Sequence, residues 1–181
     1  KEVMAHVLHD LSPRASKPFV VIDCAAIPET LLESELFGYE KGAFTGATGQ
    51  KPGKFELSQG GTLFLDEIAE LSPTLQVKLL RALEQRTVTR VGGTEPIKID
   101  ARLVAATNRD INDMIAKEKF RQDLYFRLKV ITVTLPPLRE RGNDILLLAD
   151  FMIREANAAH GRNVKGLSEE GKNSIRNHRW D

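Results

Sequence analysis

The sequence predicts an α/β fold in which a parallel β-sheet is flanked by helices and followed by a purely helical segment. The short apolar runs Phe19–Asp23 and Gly60–Glu67 have the length of buried strands and end in carboxylates. Amphipathic helical patterns separate these runs along the chain. Only helical patterns follow Pro136 and Pro137, which block both a sheet ladder and a helix. We therefore predict an α/β part over residues 1–137 and the start of a helical lid over residues 138–181.

Composition limits the classes of protein to consider. A chain of 181 residues can form one domain with a substantial core and a small second one. A net charge of +1 gives no overall basic field for nucleic acid, and the single cysteine, Cys24, excludes an internal disulfide. No apolar stretch is long enough to cross a bilayer, and no signal-peptide pattern opens the chain. We expect a cytoplasmic protein without a membrane partner.

The remaining elements follow from periodicity and from residues that begin or end helices. Helices are predicted at Glu2–Leu11, Pro28–Phe37, Ser72–Leu83, Phe120–Leu128 and Asp144–Ala159, and from Ser168 onward. The first helix has its apolar residues on one face: Val3, Met4, Val7, Leu8 and Leu11. In the helix at Asp144–Ala159, the residues predicted to point inward include Leu148, Phe151 and Met152. Further strands are predicted at Arg102–Asn108 and Val130–Leu135, and a hairpin or paired extended segments at Val88–Ile99.

Two acids close the apolar run at Asp66 and Glu67. Open α/β sheets bind ligands at the carboxyl ends of their strands, and carboxylates without a Cys or His cluster suit Mg²⁺. Asp66 would hold the metal and Glu67 would polarise a water. The alternative is a core strand that ends in two solvated acids. Thr107 and Asn108 would reach the same edge, unless Asn108 only caps the following turn.

A glycine-rich segment surrounds one aromatic residue, Phe44. Gly42-Ala43-Phe44-Thr45-Gly46-Ala47 describes a flexible loop that cannot bury the ring in its own structure. Exposure of the ring at the tip of the loop would favour contact with a partner. The alternative is a surface loop whose phenylalanine folds back on the core.

Two arginines, Arg121 and Arg127, lie on the helix predicted at Phe120–Leu128. Their spacing of six residues puts them about 120° apart on a helix, so they cannot serve one ligand in the same way. One would contact a phosphate while the other supports an interface. Both would otherwise be surface salt-bridge residues.

Nearly the whole chain resembles the central ATPase domain of the sigma-54-dependent transcriptional activators, the bacterial enhancer-binding proteins of the AAA+ superfamily of P-loop NTPases. The most specific motif is the Gly42–Ala47 loop, which distinguishes that family from other AAA+ proteins. The other matching motifs are the Walker B strand Gly60–Glu67, the sensor I segment Ala106–Asp110, the arginine-finger helix Phe120–Leu128 and the linker Leu135–Arg141.

The resemblance implies an ATP site with Mg²⁺. Asp66 would coordinate the metal, Glu67 would activate the attacking water, and Asn108 with Thr107 would sense the γ-phosphate. Gly60 and Gly61, which open the Walker B strand, belong to the same set of nucleotide-site residues.

The resemblance also implies partners. Arg121 and Arg127 would act on nucleotide bound by a neighbouring subunit of a homo-oligomeric ring, a hexamer or heptamer, and stabilise the charge of the transition state. Phe44 and Thr45 would engage the sigma-54 RNA polymerase holoenzyme and couple hydrolysis to remodelling of the closed promoter complex. DNA would be bound through a domain that is not in this chain.

Two departures from the family pattern concern the ATP site. Lys1 and Glu2 resemble the last two residues of the phosphate loop, with Lys1 reaching the β- and γ-phosphates. The strand that precedes this loop in the family, between those at Arg102–Thr107 and Ile131–Leu135, has no counterpart in the sequence. Asp23 stands where the family often has an asparagine that links the water-activating glutamate to the partner loop. Aspartate cannot donate that amide hydrogen bond.

Two further functions stay open on sequence alone. The chain could be a truncated, non-hydrolysing module that only presents the Phe44 loop to sigma-54. It could also be a motor that acts on DNA through the Val88–Ile99 hairpin. The second alternative has little support, because only Arg90 and Lys98 are basic there and no aromatic offers a stacking platform.

Overall fold

A computed structural model describes residues 1–180, which divide into two units at Thr132 and Val133. The first unit contains α1 (Glu2–Asp10), β1 (Phe19–Asp23), α2 (Glu29–Phe37), β2 (Gly38–Tyr39), β3 (Lys51–Pro52), α3 (Lys54–Leu57), β4 (Thr62–Asp66), α4 (Pro73–Gln85), β5 (Thr87–Val88), β6 (Ile97–Lys98), β7 (Arg102–Ala105), α5 (Ile111–Ala116) and α6 (Gln122–Leu128). The second contains α7 (Asp144–His160) and α8 (Glu169–Asn177). The division falls a few residues before the predicted boundary, and Asp181 of the predicted lid lies outside the described residues.

Three parallel strands form the main sheet in the order β1-β4-β7. Asp23 is the register partner of Asp66, and Leu65 is the partner of Ala105. The strands therefore end side by side, and the polar residues that follow them meet at one edge of the sheet. This arrangement confirms the predicted α/β fold, and the short antiparallel pair β5–β6 confirms the predicted hairpin.

The central strand β4 lies in the core. Leu63, Phe64 and Leu65 are almost fully buried, which matches a strand covered by helices on both faces. Burial of each such side chain contributes about 1.5–3 kcal/mol relative to leaving it in water. α4 begins as predicted, with Ser72 as its N-cap and Pro73 in its first turn.

Helix α1 packs through a different face from its apolar stripe. Ala5 and His9 are buried, whereas Val3 is 78% and Leu11 85% exposed. The small Ala5 side chain lets the helix approach the sheet closely. His9 is accommodated because its Nδ1 lies 2.9 Å from Oγ1 of the buried Thr62, at the start of β4.

The strand predicted at Val130–Leu135 is wrong, because this segment is neither helix nor strand. Val130 is 83% and Ile131 85% exposed. A strand needs a neighbour to pair its backbone groups, and among residues 1–180 β7 pairs only with β4. Without a paired neighbour in the described residues, the segment stays irregular.

Two helices begin one or two residues later than predicted. Pro28 is the N-cap of α2 rather than its first residue, a shift within the usual range of boundary differences. Phe120 is buried ahead of α6, and its N–H bonds to the carbonyl of Met114. Arg121 is the N-cap, with the extended torsions φ −75° and ψ 131°. The helical spacing argument for Arg121 and Arg127 therefore does not apply.

The second unit is a helix pair. α7 ends at Gly161 in the left-handed conformation, and the Ser168 hydroxyl caps α8 by accepting from the Gly171 N–H at 3.1 Å, both as predicted. The prediction that the apolar stripe of α7 points inward is wrong, since Phe151 and Met152 are more than half exposed and Leu148 is 40% exposed. Inside its unit, α7 packs mainly against α8 and the turn at Leu138–Glu140, which cover only part of its apolar stripe. Across the described part of the chain, every helix is too short or too polar to cross a membrane.

Candidate functional site

The carboxyl end of β4 presents Asp66 and Glu67 to the edge of the sheet. Asp66 accepts a hydrogen bond from the Glu67 N–H at 3.0 Å through Oδ1. Glu67 adopts the left-handed conformation, with φ and ψ both 50°. This conformation costs a non-glycine residue about 1 kcal/mol or more and is common at functional sites. The Glu67 side chain is thereby turned out of the strand direction.

Lys1 lies against both carboxylates. Its Nζ is hydrogen-bonded to Glu67 and stands 3.7 Å from Asp66 Oδ1. Burial raises the pKa of the Glu67 carboxyl, but the hydrogen bonds from Lys1 and from the Asn108 N–H outweigh burial and hold the pKa below its usual range. Glu67 is therefore an anion at neutral pH. The cluster holds one cation between two anions at the end of β4.

The segment after β7 completes this edge. The backbone N–H of Asn108 donates to Glu67 Oε2 at 3.1 Å, and Thr107 Oγ1 accepts from the N–H of Arg109 at 3.1 Å. Asp110, rather than Asn108, caps α5 with its side chain. The Asn108 side chain is thus not used as a helix cap.

Asp23 ends the neighbouring strand β1 and is exposed. Its Oδ1 accepts from the N–H groups of Ala25 at 2.9 Å and Ala26 at 3.3 Å, which closes a local turn. Asp23 acts on Glu67 through charge, by raising its pKa. The same carboxylates also affect the buried thiol of the adjacent Cys24. Burial first, and then the carboxylates of Asp23 and Asp66, raise the pKa of Cys24 to about 12.

The structure does not bring every predicted nucleotide-site residue together. Gly60 and Gly61 precede β4, at the opposite end from Asp66 and about 16 to 20 Å away along the strand. A Cβ on Gly61 would meet the Pro18 carbonyl oxygen at 2.0 Å, so this glycine is required for close packing of two backbones. Glu2 is in the first turn of α1 and lies 4.0 Å from His6 Nε2. Contacts of these three residues with the carboxylate edge are absent from the described part.

Arg121 and Arg127 lie outside the carboxylate cluster. Arg121 pairs with Asp123 through two hydrogen bonds of 3.0 and 2.6 Å, and Arg127 donates to the Leu83 carbonyl at 3.1 Å. In residues 1–180, no hydrogen bond or ion pair joins either arginine to Asp66 or Glu67. The arginines are exposed, and Arg121 fits the salt-bridge alternative within its own chain.

The Gly42–Ala47 loop is a closed turn with its aromatic ring partly exposed. The Gly42 N–H donates to the Ala47 carbonyl at 2.9 Å, and Ala47 is buried. Phe44 is 42% exposed and meets the Tyr39 ring edge-on, with 5.0 Å between centroids. Both alternatives for Phe44 therefore hold in part. The ring packs against Tyr39, as a ring folded back on the domain would, and part of it stays exposed to solvent and available to a partner.

An ion-pair network at the base of this loop was not found by sequence reasoning. Arg90 donates to Glu56 at 2.9 and 2.5 Å and to Glu40 at 3.0 Å. Glu40 also donates its N–H to the Val91 carbonyl at 3.0 Å. Because Arg90 is paired with two carboxylates, the alternative in which the Val88–Ile99 hairpin binds DNA loses support. The signal available in the sequence was an isolated arginine in the otherwise uncharged segment Val88–Val91.

The cluster of Lys1, Asp66, Glu67 and Asn108 can bind a phosphorylated ligand and orient a water. In the described residues, no three His, Cys, Asp or Glu side chains are arranged to hold a metal by themselves. Mg²⁺ needs fewer protein ligands, since it usually keeps waters and phosphate oxygens and takes one or two carboxylates. Asp66, with a partly exposed carboxylate, fits that requirement.

Two curated proteins match almost the whole chain. A Nif-specific regulatory protein from Herbaspirillum seropedicae is 52% identical over 180 residues, which are 99% of this chain and 33% of that protein. Transcriptional regulatory protein FlbD from Caulobacter vibrioides is 51% identical over 99% of this chain and 40% of its own length. The chain therefore spans about a third to two fifths of these curated relatives.

Solved structures match the fold. NtrX from Brucella abortus superimposes with a TM-score of 0.91 at 35% identity, covering 99% of this chain and 40% of NtrX. NtrX in complex with ATP gives a TM-score of 0.88 with the same coverage. The family description "Sigma-54 interaction domain" matches residues 1–134. The chain belongs to the family of the sigma-54 interaction domain.

Proposed function

We propose that this chain is the ATP-hydrolysing part of a sigma-54-dependent activator that works as a ring and remodels the closed promoter complex. The observation that carries the proposal is the cluster of Lys1, Asp66 and Glu67 with the Asn108 N–H at one sheet edge. NtrX, which shares the fold, has been solved with ATP. Arg121 and Arg127 would complete a site shared between subunits, and the Gly42–Ala47 loop would couple hydrolysis to the partner.

Each residue of the cluster has a defined task. Lys1 would exchange its carboxylate partners for the β- and γ-phosphates, which frees Glu67 to orient a water and accept its proton. Asp66 would hold Mg²⁺, which when bound neutralises charge on the phosphates. Thr107 and Asn108 would contact the γ-phosphate. Glu67 is suited to act as the base because its carboxyl is ionised at neutral pH.

Arg121 and Arg127 would complete the site of a neighbouring subunit. Support comes from their exposure and from their partners, which in the described residues are Asp123 and the Leu83 carbonyl and not Asp66 or Glu67. A positive charge on the phosphoryl transition state raises turnover by about 10³-fold or more in comparable enzymes. Ring assembly into a hexamer or heptamer would therefore be required for activity.

Phe44 and Thr45 would contact sigma-54 in the polymerase holoenzyme. Support comes from the partly exposed ring and from the base of the loop, which Arg90 joins to α3 through Glu56. Because the base of the Gly42–Ala47 loop is held rigidly, a movement of the domain would be transmitted to Phe44 and Thr45. Binding of DNA would belong to another domain of the protein.

The decisive experiment measures nucleotide binding and hydrolysis by the protein expressed from its complete coding sequence. Glu67→Ala should keep the Kd for Mg·ATP within about threefold and lower kcat by about 10³-fold, because only the chemical step needs the carboxylate. Glu84→Ala, which removes an exposed carboxylate from α4, is the matched control and should change neither quantity. Full turnover by Glu67→Ala would overturn the proposal.

A concentration series tests the shared site. Specific activity should rise with protein concentration, and Arg121→Ala subunits should regain turnover when mixed with Glu67→Ala subunits. In such mixed rings, some interfaces join an intact carboxylate cluster to an intact arginine. Activity independent of concentration and of mixing would show that each subunit is complete. Binding of sigma-54 with no turnover under any condition would support the non-hydrolysing alternative.

A further inference from the structure

Helix α4 carries a polar side chain, Gln76, that has no exposure to solvent. Its neighbours on the buried side, Leu75 and Leu79, are core residues. An amide in such surroundings is tolerated only when its donors and acceptor are hydrogen-bonded. The partners of this amide therefore show which parts of the chain it holds.

All three partners of Gln76 are backbone groups. Its Nε2 donates to the carbonyl of Leu71 at 2.8 Å and to that of Lys119 at 3.0 Å. Its Oε1 accepts from the N–H of Arg121 at 2.8 Å. The orientation of the amide is fixed by chemistry, because two carbonyls require donors and one N–H requires an acceptor.

These contacts join two distant segments. Leu71 follows the turn that comes directly after Asp66 and Glu67. Lys119 and Arg121 flank the buried Phe120, immediately before α6. One side chain therefore ties the backbone beyond the carboxylate edge to the backbone of Arg121. The Arg121 guanidinium is held separately, by Asp123.

We propose that Gln76 is a positioning residue for Arg121: it fixes the backbone at the start of α6 so that the guanidinium meets the nucleotide of a neighbouring subunit. The inference rests on the proposed role of Arg121 across the subunit interface. Gln76 itself, being fully buried, cannot touch that nucleotide.

Gln76→Met tests this inference, because methionine has a similar length and unbranched shape without the amide. In the complete protein, kcat at saturating Mg·ATP should fall roughly 10-fold or more while the Kd for Mg·ATP stays within about twofold. The matched control is Gln85→Met, an equal change at an exposed position of α4, which should leave both values unchanged. A Kd weakened in proportion to the loss of kcat would overturn the inference, since Gln76 would then act on its own chain's site through Leu71.

A double variant separates this inference from the proposed function. If Gln76 acts through Arg121, then Gln76→Met with Arg121→Ala should be no slower than Arg121→Ala alone. Losses that multiply would overturn the inference, and so would normal turnover by Gln76→Met beside a slow Arg121→Ala. Normal turnover by Arg121→Ala would instead overturn the role of Arg121.

A direct measurement guards against misfolding. Hydrogen exchange of the Arg121 amide should be faster in Gln76→Met than in the parent protein, with the Leu79 amide as an internal reference for α4. Unchanged protection of the Arg121 amide would overturn the inference.

Discussion

The Arg90 guanidinium binds the Glu56 carboxylate through two parallel hydrogen bonds, Nε to Oε1 at 2.9 Å and Nη2 to Oε2 at 2.5 Å. Only 16% of the Arg90 side chain and 14% of the Glu56 side chain are exposed. Bidentate, partly buried pairs of this kind are stronger than ordinary surface ion pairs. The pair fixes the hairpin that contains Arg90 to α3, beneath the Gly42–Ala47 loop.

We expect Glu56→Gln to lower the free energy of unfolding by about 2 kcal/mol at pH 7, because it leaves the half-buried Arg90 without its main counter-charge. Urea unfolding followed by circular dichroism measures the change. The control is Glu35→Gln, which removes the partner of the more exposed Lys51 and should cost less than about 1 kcal/mol. Equal losses for the two variants would contradict a special role for the Arg90 pair.

The same pair predicts a dependence of stability on acid. The hydrogen bond from Arg90 lowers the pKa of Glu56 below its ordinary value of 4.5, and the unfolded chain therefore binds a proton more readily than the folded one. The stabilisation is complete above pH 4.5 and is lost as pH falls through the lowered pKa. The difference in unfolding free energy between the parent and Glu56→Gln should therefore shrink below this pH. A constant difference down to pH 3 would contradict the prediction.

Gly53 is expected to be irreplaceable, whereas the nearby Gly49 is not. A Cβ on Gly53 would lie 2.4 Å from the Phe37 carbonyl carbon and 2.5 Å from the Leu36 oxygen, both of them backbone atoms. Nothing lies within 4 Å of a Cβ on Gly49. Gly53→Ala should cost about 3 kcal/mol in urea unfolding and Gly49→Ala less than about 0.5 kcal/mol. Similar costs for both would show that the backbones can separate.

The Cys24 thiol should be inert while the protein is folded. Its pKa of about 12, set by burial and by the surrounding carboxylates, leaves about 10³-fold less thiolate at pH 8 than an ordinary cysteine has. Alkylation by iodoacetamide, followed by mass spectrometry, should be slowed by at least that factor. Guanidinium-unfolded protein is the control and should react at the normal rate. Fast labelling of the folded protein would contradict the burial of Cys24.

Asp23→Asn is expected to preserve the fold and change the chemistry. Asparagine Oδ1 can accept the same hydrogen bonds from Ala25 and Ala26, so stability should change by less than about 0.5 kcal/mol. Removing this negative charge lowers the pKa of Glu67 further, because Asp23 raises it. With Glu67 as base, the acidic limb of the pH profile of kcat should move to lower pH.

The coupling between partner binding and hydrolysis should also differ between the two proteins, as measured by stimulation of turnover by sigma-54. An unchanged pH profile together with unchanged stimulation would remove Asp23 from the mechanism. Loss of stability without either effect would mean that the turn depends on the charge of Asp23.

The sequence predicted the buried strands well because their apolar runs are short, continuous and bounded by turn residues. It placed Asp66 and Asn108 at one edge because parallel strands end together. Residues 130–135 have the same apolar character yet form no strand. Pairing depends on a neighbour, which a local pattern cannot show.

Contacts between distant segments also escaped prediction. Gln76 and His9 are polar residues inside helical patterns, and nothing local distinguishes a buried, hydrogen-bonded side chain from a solvated one. The left-handed conformation of Glu67, at the turn after β4, has no sequence signature either. Gly61 shows the opposite case, in which a motif match included a residue required for packing.

Helix α1 is fastened to β4 at both ends, by Lys1 to Glu67 and by His9 to Thr62. Lys1 and His9 are eight residues apart, about 12 Å along a helix, and Thr62 and Asp66 are four residues apart, about 13 Å along a strand, so the two elements span nearly the same distance. A ligand that takes the Lys1 ammonium from Glu67 releases only one end. The other end stays fixed by His9 and by Arg102, which donates to the Leu8 carbonyl at 3.2 Å. α1 therefore keeps its attachment to β4 through His9 and Thr62 when Lys1 changes partner.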